Sequence, residues 1–387
     1  MKTLHIINLY ELGGVERMFL QYINHIDHEN DVVICISPKV SSDITKKIEK
    51  KVIFSSRLCN HLALRCPQFI RKFWLKWKIE KTSSDIIIVW DLVIRLSSKP
   101  KNRKMIYYDH GASSRLTLNK KTINFFSMLD GVITVSYASK RIMELRFQLP
   151  CPHVVVHNGI QKPINITIKN KLSTFPLRLG TASRLVNLKG ISVSLLTLHE
   201  LLLRGHNVTI EIIGQGPYKK QLEILTQKLN LNDQVIFSPF QNELSDFFNR
   251  IDIYMSTPIT EAFGLSCLEA LYHGVPVIFP LIDGQPEIVS NRICGLGLVP
   301  KVSVKEHECI TGIKINYPHA VYDPIADVLI RPKLISHIDC ANAVEMLMVN
   351  ETYSRFSWNA QRCTREKFTF DICEQQLQNT LFFFLQK

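Results

Sequence analysis

Two carboxylates stand eight residues apart in the run Glu261-Ala-Phe-Gly-Leu-Ser-Cys-Leu-Glu269-Ala-Leu-Tyr-His-Gly274-Val-Pro276. The run follows the apolar stretch Ile251 to Met255 and a Pro258 loop, so Glu261 is expected at the carboxyl end of a strand, where open α/β sheets bind ligands. Glu269 then lies inside the following helix. Gly264 lets the backbone approach a ligand closely, and the helix beginning there offers N–H groups and a favourable dipole to a phosphate. A carboxylate is also a natural bidentate acceptor for vicinal hydroxyls, as on a ribose. A second group is cationic: Leu177-Arg-Leu-Gly-Thr-Ala-Ser-Arg184-Leu-Val-Asn-Leu-Lys189-Gly190 ends a strand in a basic pair and a glycine that opens a helix. Arg184 and Lys189 are cations that suit an anion such as a diphosphate. Gly13-Gly14-Val-Glu16-Arg17 follows the first strand, so its amides can approach an anion. Asp109-His110-Gly111 closes another strand and presents an imidazole there.

The pattern Glu261-x-Phe263-Gly264-Leu265-x-x-Leu-Glu269-Ala, followed by Gly274-x-Pro276-Val, resembles the signature of glycosyltransferase family 4, whose members are retaining enzymes of the two-Rossmann-domain GT-B fold. The resemblance implies that Glu269 binds the ribose of a sugar nucleotide, while Glu261 and the backbone of Phe263, Gly264 and Leu265 hold the donor sugar and phosphates. It also implies that Gly13 and Gly14 face the diphosphate and the acceptor across the cleft, and that His110 is catalytic, beside the donor's reacting carbon. Ser183-Arg184-Leu185 stands where the family usually has Gly-Arg-Leu, and Ser238-Pro239 departs from a glycine often found where the base docks. His157-Asn158-Gly159 resembles the family's turn before the linker and is assigned a structural role. Gly214-Gln-Gly216-Pro217 lacks the rest of a dinucleotide fingerprint and resembles the family's phosphate-side turn. The sequence contains no Asp-x-Asp, the usual carboxylate pair that holds a metal against a sugar diphosphate, so no metal and no cofactor beyond the nucleotide-sugar co-substrate is expected. His199-Glu200 is not a zincin motif, because position 203 is Leu.

Positioning these groups requires buried strands. Leu4 to Leu9, Val32 to Ile36, Ile86 to Val89, Met105 to Tyr108, Val132 to Val135 and Val154 to Val156 are continuous apolar runs rather than alternating ones. That pattern predicts parallel strands covered on both faces. After the polar, Pro-bearing segment 163–171 the pattern restarts with Leu177 to Thr181, Val208 to Ile213, Val235 to Phe237, Ile251 to Met255 and Val275 to Phe279. Helical patterns span Ser192 to Leu203, Tyr218 to Leu229, Leu265 to Tyr272 and the tail from His337 to Gln386. The fold class is therefore α/β, with two Rossmann-like units, the GT-B arrangement that the resemblance implies. The expected domains are 1–165 for the acceptor, 166–366 for the nucleotide sugar, and 367–387 as a helix returning to the first.

At 387 residues the chain is long enough for two or three domains, by the rule of roughly 100 to 200 residues each. Its charge is +13, and residues 1–165 hold 26 basic against 13 acidic residues, leaving 21 of each in the remainder. All the excess therefore sits in the acceptor half. Within it, Pro67 to Ile79 sets Phe69, Ile70, Phe73, Trp74 and Trp77 on one helical arc, with Arg71, Lys72, Lys76 and Lys78 on the other. Two placements fit: an interfacial helix with its aromatics in an anionic membrane, or a helix packing its aromatic arc on the core beneath a solvated basic side. No motif for nucleic acid accompanies the charge, so the expected partners are a nucleotide sugar, a membrane surface, and a lipid-linked or lipopolysaccharide acceptor.

The ten cysteines are scattered, without a C-x-x-C pair, and read as reduced thiols. With no apolar run of the roughly 18 to 20 residues that span a bilayer and no signal-peptide pattern, a cytoplasmic protein held peripherally at the inner membrane is expected. The full expectation is a retaining, metal-independent hexosyltransferase using a UDP-sugar. A sugar-nucleotide epimerase of the same fold, or a non-catalytic basic membrane or nucleic-acid adaptor, are the alternatives.

Overall fold

Ile86–Trp90 is five consecutive apolar residues, none more than 2% exposed. A strand without a polar face has to be covered on both sides, which selects a parallel sheet between helix layers. In the computed structural model, which describes residues 1–25, 30–58, 65–163, 166, 172 and 176–387, it is the central strand of seven. The seven are β1 (Thr3–Ile7), β2 (Val32–Cys35), β3 (Val52–Phe54), β4 (Ile86–Trp90), β5 (Lys104–Asp109), β6 (Gly131–Thr134) and β7 (His153–Val155). They lie in the order β3-β2-β1-β4-β5-β6-β7, every neighbouring pair parallel.

The second sheet contains β8 (Leu177–Ala182), β9 (Val208–Ile213), β10 (Val235–Ser238), β11 (Ile253–Met255), β12 (Val277–Pro280) and β13 (Gly295–Leu298). Its order is β10-β9-β8-β11-β12-β13, again wholly parallel. Both sheets reverse their order once, at β1/β4 and at β8/β11. The loops leaving the carboxyl ends of these strands diverge there and open a crevice, the usual ligand site of doubly wound sheets. Beyond β13 the chain makes two small antiparallel ribbons, β14 (Val302–Ser303) with β17 (Lys333–Leu334) and β15 (Val321–Asp323) with β16 (Val328–Ile330). The expected strands are present. The strands β3 and β13 and both ribbons were not legible from apolar runs, being two to four residues long or, in β13, built on alternate glycines.

The chain divides into two compact units, 1–158 together with 373–387, and 159–372. The boundary expected at residue 165 and most of the linker 163–171 lie outside the described residues. In the first unit Leu4, Ile6, Ile87 and Val89 form the core with Met105, Tyr107 and Val132. The helix Phe370–Gln386 joins it through its later turns: Glu374 pairs with His25 at 3.1 Å, and Phe384 lies against Gly131 where any Cβ would collide. In the second unit Leu179, Ile210 and Ile253 pack with Leu195 and Leu198 of the helix Ile191–Leu203 and with Ala341 and Val344 of His337–Leu347.

The basic segment corrects one expectation. Its helix runs Arg71–Glu80 rather than from Pro67, and the side it buries is Leu75, Lys78 and Ile79. Lys78 therefore does not belong to a solvated basic face; its Nζ donates to the carbonyls of Phe54 and Arg57, which satisfies a charge that burial would otherwise penalise. The aromatic arc does not pack on the core: Phe69, Phe73 and Trp77 are 78, 56 and 47% exposed. Trp74 is half-buried, donates Nε1 to the Arg57 carbonyl at 3.0 Å and stacks on Trp77 at 4.6 Å. Arg71 donates to the Cys66 carbonyl at 2.9 Å, Lys76 pairs with Glu80 at 3.6 Å, and Lys72 lies over the Phe73 ring at 5.0 Å.

Candidate active site

Parallel pairing of β8 with β11 sends the loops 183–190 and 256–264 out of the same sheet edge, so residues far apart in sequence meet. Lys189 and Glu261 form an ion pair there, both side chains about three-quarters buried. The loops are tied by backbone as well: Ile259 donates to the Leu188 carbonyl at 2.9 Å, and Thr257 Oγ1 to the Gly190 carbonyl at 2.8 Å. Gly190 sits at φ 60° directly beneath Thr257. Arg184, on the first of these loops, is exposed and makes no ion pair among the described residues. The turn Gly214-Gln-Gly216 lies against that loop so tightly that a Cβ on either glycine would overlap the Ser183 or Leu185 carbonyl. Backbone packing thus accounts for both glycines.

Gly264, at φ 104°, opens the helix Leu265–Tyr272, whose first amides have no intrahelical acceptor. Glu269 is half-buried on that helix, one turn in from Leu265. Phe263 is buried and meets Phe368 edge-on at 6.2 Å, which fixes the backbone just before Gly264. Cys267, on the same helix, is no nucleophile, because burial pushes its thiol up to about 12. Arg184 and Lys189 thus lie on one loop and Glu261, Phe263 and Gly264 on the other, both leaving the carboxyl ends of the paired strands β8 and β11, with Leu265 and Glu269 on the helix that follows.

In the first unit Gly13 caps the helix Gly14–Ile23, and its N–H is donated to the Glu16 carboxylate at 2.9 Å, while Gly14 is exposed. The helix amino end is thus closed by its own glutamate, at the carboxyl side of β1. His110 leaves the carboxyl end of β5, stacks on Trp90 at 5.4 Å and lies tilted against Tyr108 at 4.3 Å. Its Nε2 is enclosed without a hydrogen-bond partner, and burial pulls the imidazole down to about 3. His110 is consequently neutral near pH 7 and suited to hydrogen bonding rather than to donating a proton.

Two acidic residues escaped the sequence reading. Asp91, at φ 52° after β4, accepts the N–H of His110 at 2.7 Å and of Ala112 at 2.9 Å, and so shapes the turn that carries the histidine. Asp109, fully buried, accepts Ser113 N–H and Oγ at 2.9 and 2.7 Å and the Tyr107 hydroxyl at 3.2 Å. Burial pushes both carboxyls up, and the charge of Asp109 adds to the effect on Asp91. The second residue that the sequence motifs did not include, besides Asp91, is Asp283, which follows β12. A carboxylate after a buried strand was the only signal, and it is shared by many turns. Among the described residues, no group of three or more His, Cys, Asp or Glu side chains is placed to hold a metal, and no helix is long and apolar enough to cross a membrane.

Two doubly wound parallel sheets, each with polar groups at its switch point, define an α/β protein of two Rossmann-like units. Residues 12–162 match the family model Glycosyltransferase Family 4, and residues 166–308 match Glycosyl transferases group 1. The chain belongs to the family 4 type of glycosyltransferases, with the GT-B fold. It is 30% identical over 185 residues to an uncharacterized glycosyltransferase of Methanocaldococcus jannaschii, covering 44% of this chain and about half (47%) of that relative. An uncharacterized glycosyltransferase of Haemophilus influenzae is 24% identical over 81% of this chain and 90% of its own length. The lipopolysaccharide core biosynthesis glycosyltransferase LpsD of Rhizobium meliloti is 22% identical over 76 and 82%. Among solved structures, Anabaena HepE in complex with UDP and glucose superposes with a TM-score of 0.71 at 17% identity, over 98% of this chain and 99% of that one.

Proposed function

We propose that this glycosyltransferase is a retaining, metal-independent enzyme that moves a hexose-type sugar from a UDP-sugar to an anionic saccharide held at a membrane, such as a lipopolysaccharide core. The observation that carries the donor reading is the Lys189–Glu261 ion pair, set beside the amino end of the helix that bears Glu269. Phosphates suit that amino end and the cations Arg184 and Lys189, and a ribose diol suits Glu269. With Arg184 and Lys189 neutralising the leaving diphosphate, the reaction needs no divalent ion for that role. The acceptor hydroxyl attacks the anomeric carbon on the face from which the diphosphate departs. The bond from that carbon to the phosphate oxygen breaks, a bond to the acceptor oxygen forms, and the departing phosphate takes the proton. Glu261 positions the sugar. The likeness to HepE, which holds UDP and glucose, supports the choice of base and of a hexose.

Glu269→Gln is the direct test. Exchanging a charged acceptor for a neutral amide removes hydrogen bonds to a charged group, about 1.5–3 kcal/mol each, so affinity for UDP falls about 10- to 100-fold with the fold unchanged. Unaltered UDP affinity by calorimetry rules out the ribose assignment. Screening UDP-glucose, UDP-galactose and UDP-N-acetylglucosamine for slow hydrolysis identifies the donor; an epimerised sugar in place of the parent hexose points instead to an epimerase.

The acceptor side rests on the exposed row Phe69, Phe73 and Trp77, spaced four residues apart, together with Lys72, Lys76 and Lys81. Lys81 lies over the Trp77 ring at 5.6 Å, so cation and aromatic point to the same surface. This is the make-up of an interfacial helix, with a peripheral location at the cytoplasmic face of the inner membrane. Vesicles containing about a third phosphatidylglycerol should bind the protein, and Phe69→Ser with Phe73→Ser and Trp77→Ser should weaken binding at least about 10-fold. Binding that ignores both those changes and added salt is incompatible with this surface.

A further inference from the structure

Asp283 is 1% exposed, at φ 46° in the loop after β12, and its carboxylate joins three pieces of chain. Oδ2 accepts from Thr260 Oγ1 at 2.6 Å and from the Glu261 N–H at 3.0 Å, and Oδ1 accepts from the Tyr322 N–H at 2.8 Å. The backbone repeats the linkage: Asp283 N–H donates to the Tyr322 carbonyl at 2.9 Å, and Gly284 N–H to the Glu261 carbonyl at 3.2 Å. The loop carrying Glu261 is thereby fastened to the β15–β16 ribbon, which returns to this crevice from a distant part of the chain.

We propose that Asp283 is a positioning residue for Glu261, holding it in register with Lys189, and that the β15–β16 ribbon is part of the rigid support of the donor site. The proposal rests on the donor-site reading given above. Every group that reaches the carboxylate is a donor, two N–H and one O–H, so only an acceptor-only side chain satisfies all three. A buried carboxylate lacking a cationic partner is costly, and among the described residues no Lys, Arg or His pairs with Asp283. A purely structural link between two loops would be cheaper with a neutral side chain; a fixed charge-assisted clamp is what a reacting centre requires. Burial pushes this carboxyl up to about 6, with the nearby Glu261 charge adding to it, and the three donors pull the other way. The charged and titratable groups around it are Glu261 with its partner Lys189 on the facing loops, Tyr322, whose hydroxyl donates to Asp327, and Asp323 on the ribbon. As pH falls through about 6 the carboxyl gains a proton, one acceptor site is lost, and Glu261 loosens.

The test is Asp283→Asn in the full chain, with hydrolysis of the UDP-sugar identified above as readout. The amide must turn its NH2 toward either Glu261 N–H or Tyr322 N–H, so kcat is expected to fall about 10-fold while the UDP dissociation constant stays within about 2-fold. Wild type should show an acid limb in kcat near pH 6 that the Asn variant lacks. Thr260→Val, which keeps shape and removes one donor, should shift that limb to higher pH, and it decides the matter if Asp283→Asn does not fold. Wild-type kcat with an unchanged limb in Asp283→Asn, or an unmoved limb in Thr260→Val, overturns the proposal. Failure of wild type to bind UDP would instead remove the donor-site reading itself.

Discussion

Replacing Lys189 by Met lowers kcat for sugar transfer about 10²- to 10³-fold while leaving the fold in place. On the proposed mechanism the cation faces the oxygen on which charge accumulates as the glycosidic bond breaks, and losing one such preorganised donor costs about that factor. The loss falls on kcat more than on donor affinity, because the charge on the leaving phosphate is larger in the transition state than in the bound donor. Stability should change little. The Lys189–Glu261 pair, though about three-quarters buried, keeps contact with water, and ion pairs that remain in contact with water contribute on the order of 1 kcal/mol. Steady-state kinetics and a thermal melt separate the two effects. A variant with normal kcat would show that the ion pair is only a loop fastener.

The adjacent residue gives the opposite outcome. Gly190→Ala should destabilise the second unit by about 3–4 kcal/mol, because two costs coincide there. At φ 60° a side chain costs about 1 kcal/mol on conformational grounds. More severely, the new Cβ would lie 1.9 Å from the Thr257 carbonyl oxygen, so the loops 183–190 and 256–264 must part. Parting them breaks the Thr257 Oγ1 bond to the Gly190 carbonyl and strains the Ile259 bond to Leu188. At about 2–4 °C per kcal/mol for a unit of this size, the melting transition of residues 159–372 should fall by about 6–16 °C, with UDP affinity lost alongside. A melt within about 2 °C of wild type would mean that the loops are free to separate, and the close approach of Lys189 to Glu261 would lose its structural basis.

The strands that hold these loops were legible because burial on both faces leaves a local mark: Ile86–Trp90 and Val277–Pro280 are apolar at every position, whatever surrounds them. The carboxylate spacing in the 261–269 run was legible for a similar reason, since a strand-to-helix turn and the first helical turns fall within nine residues. β13 was not, because Gly295 and Gly297 give no strand signal; at Gly295 the reason is a close approach, a Cβ there lying 2.5 Å from the Val277 carbonyl. The aromatic residues 69–77 suggest an arc by spacing, yet the helix begins only at Arg71, and which side faces the core depends on the neighbours: Leu75 with Ile79 won. Lys78 shows the same limit: a lysine is expected in water, and the carbonyls of Phe54 and Arg57, which accept from its Nζ, help to make its burial possible. Residue types and local spacing thus determined the two parallel sheets and the chemistry available at their edges. The tertiary structure alone decided that Lys189 meets Glu261 across 72 residues and that Asp283 clamps the same loop, because pairing between strands distant in sequence is set by packing and leaves no periodic trace in the chain.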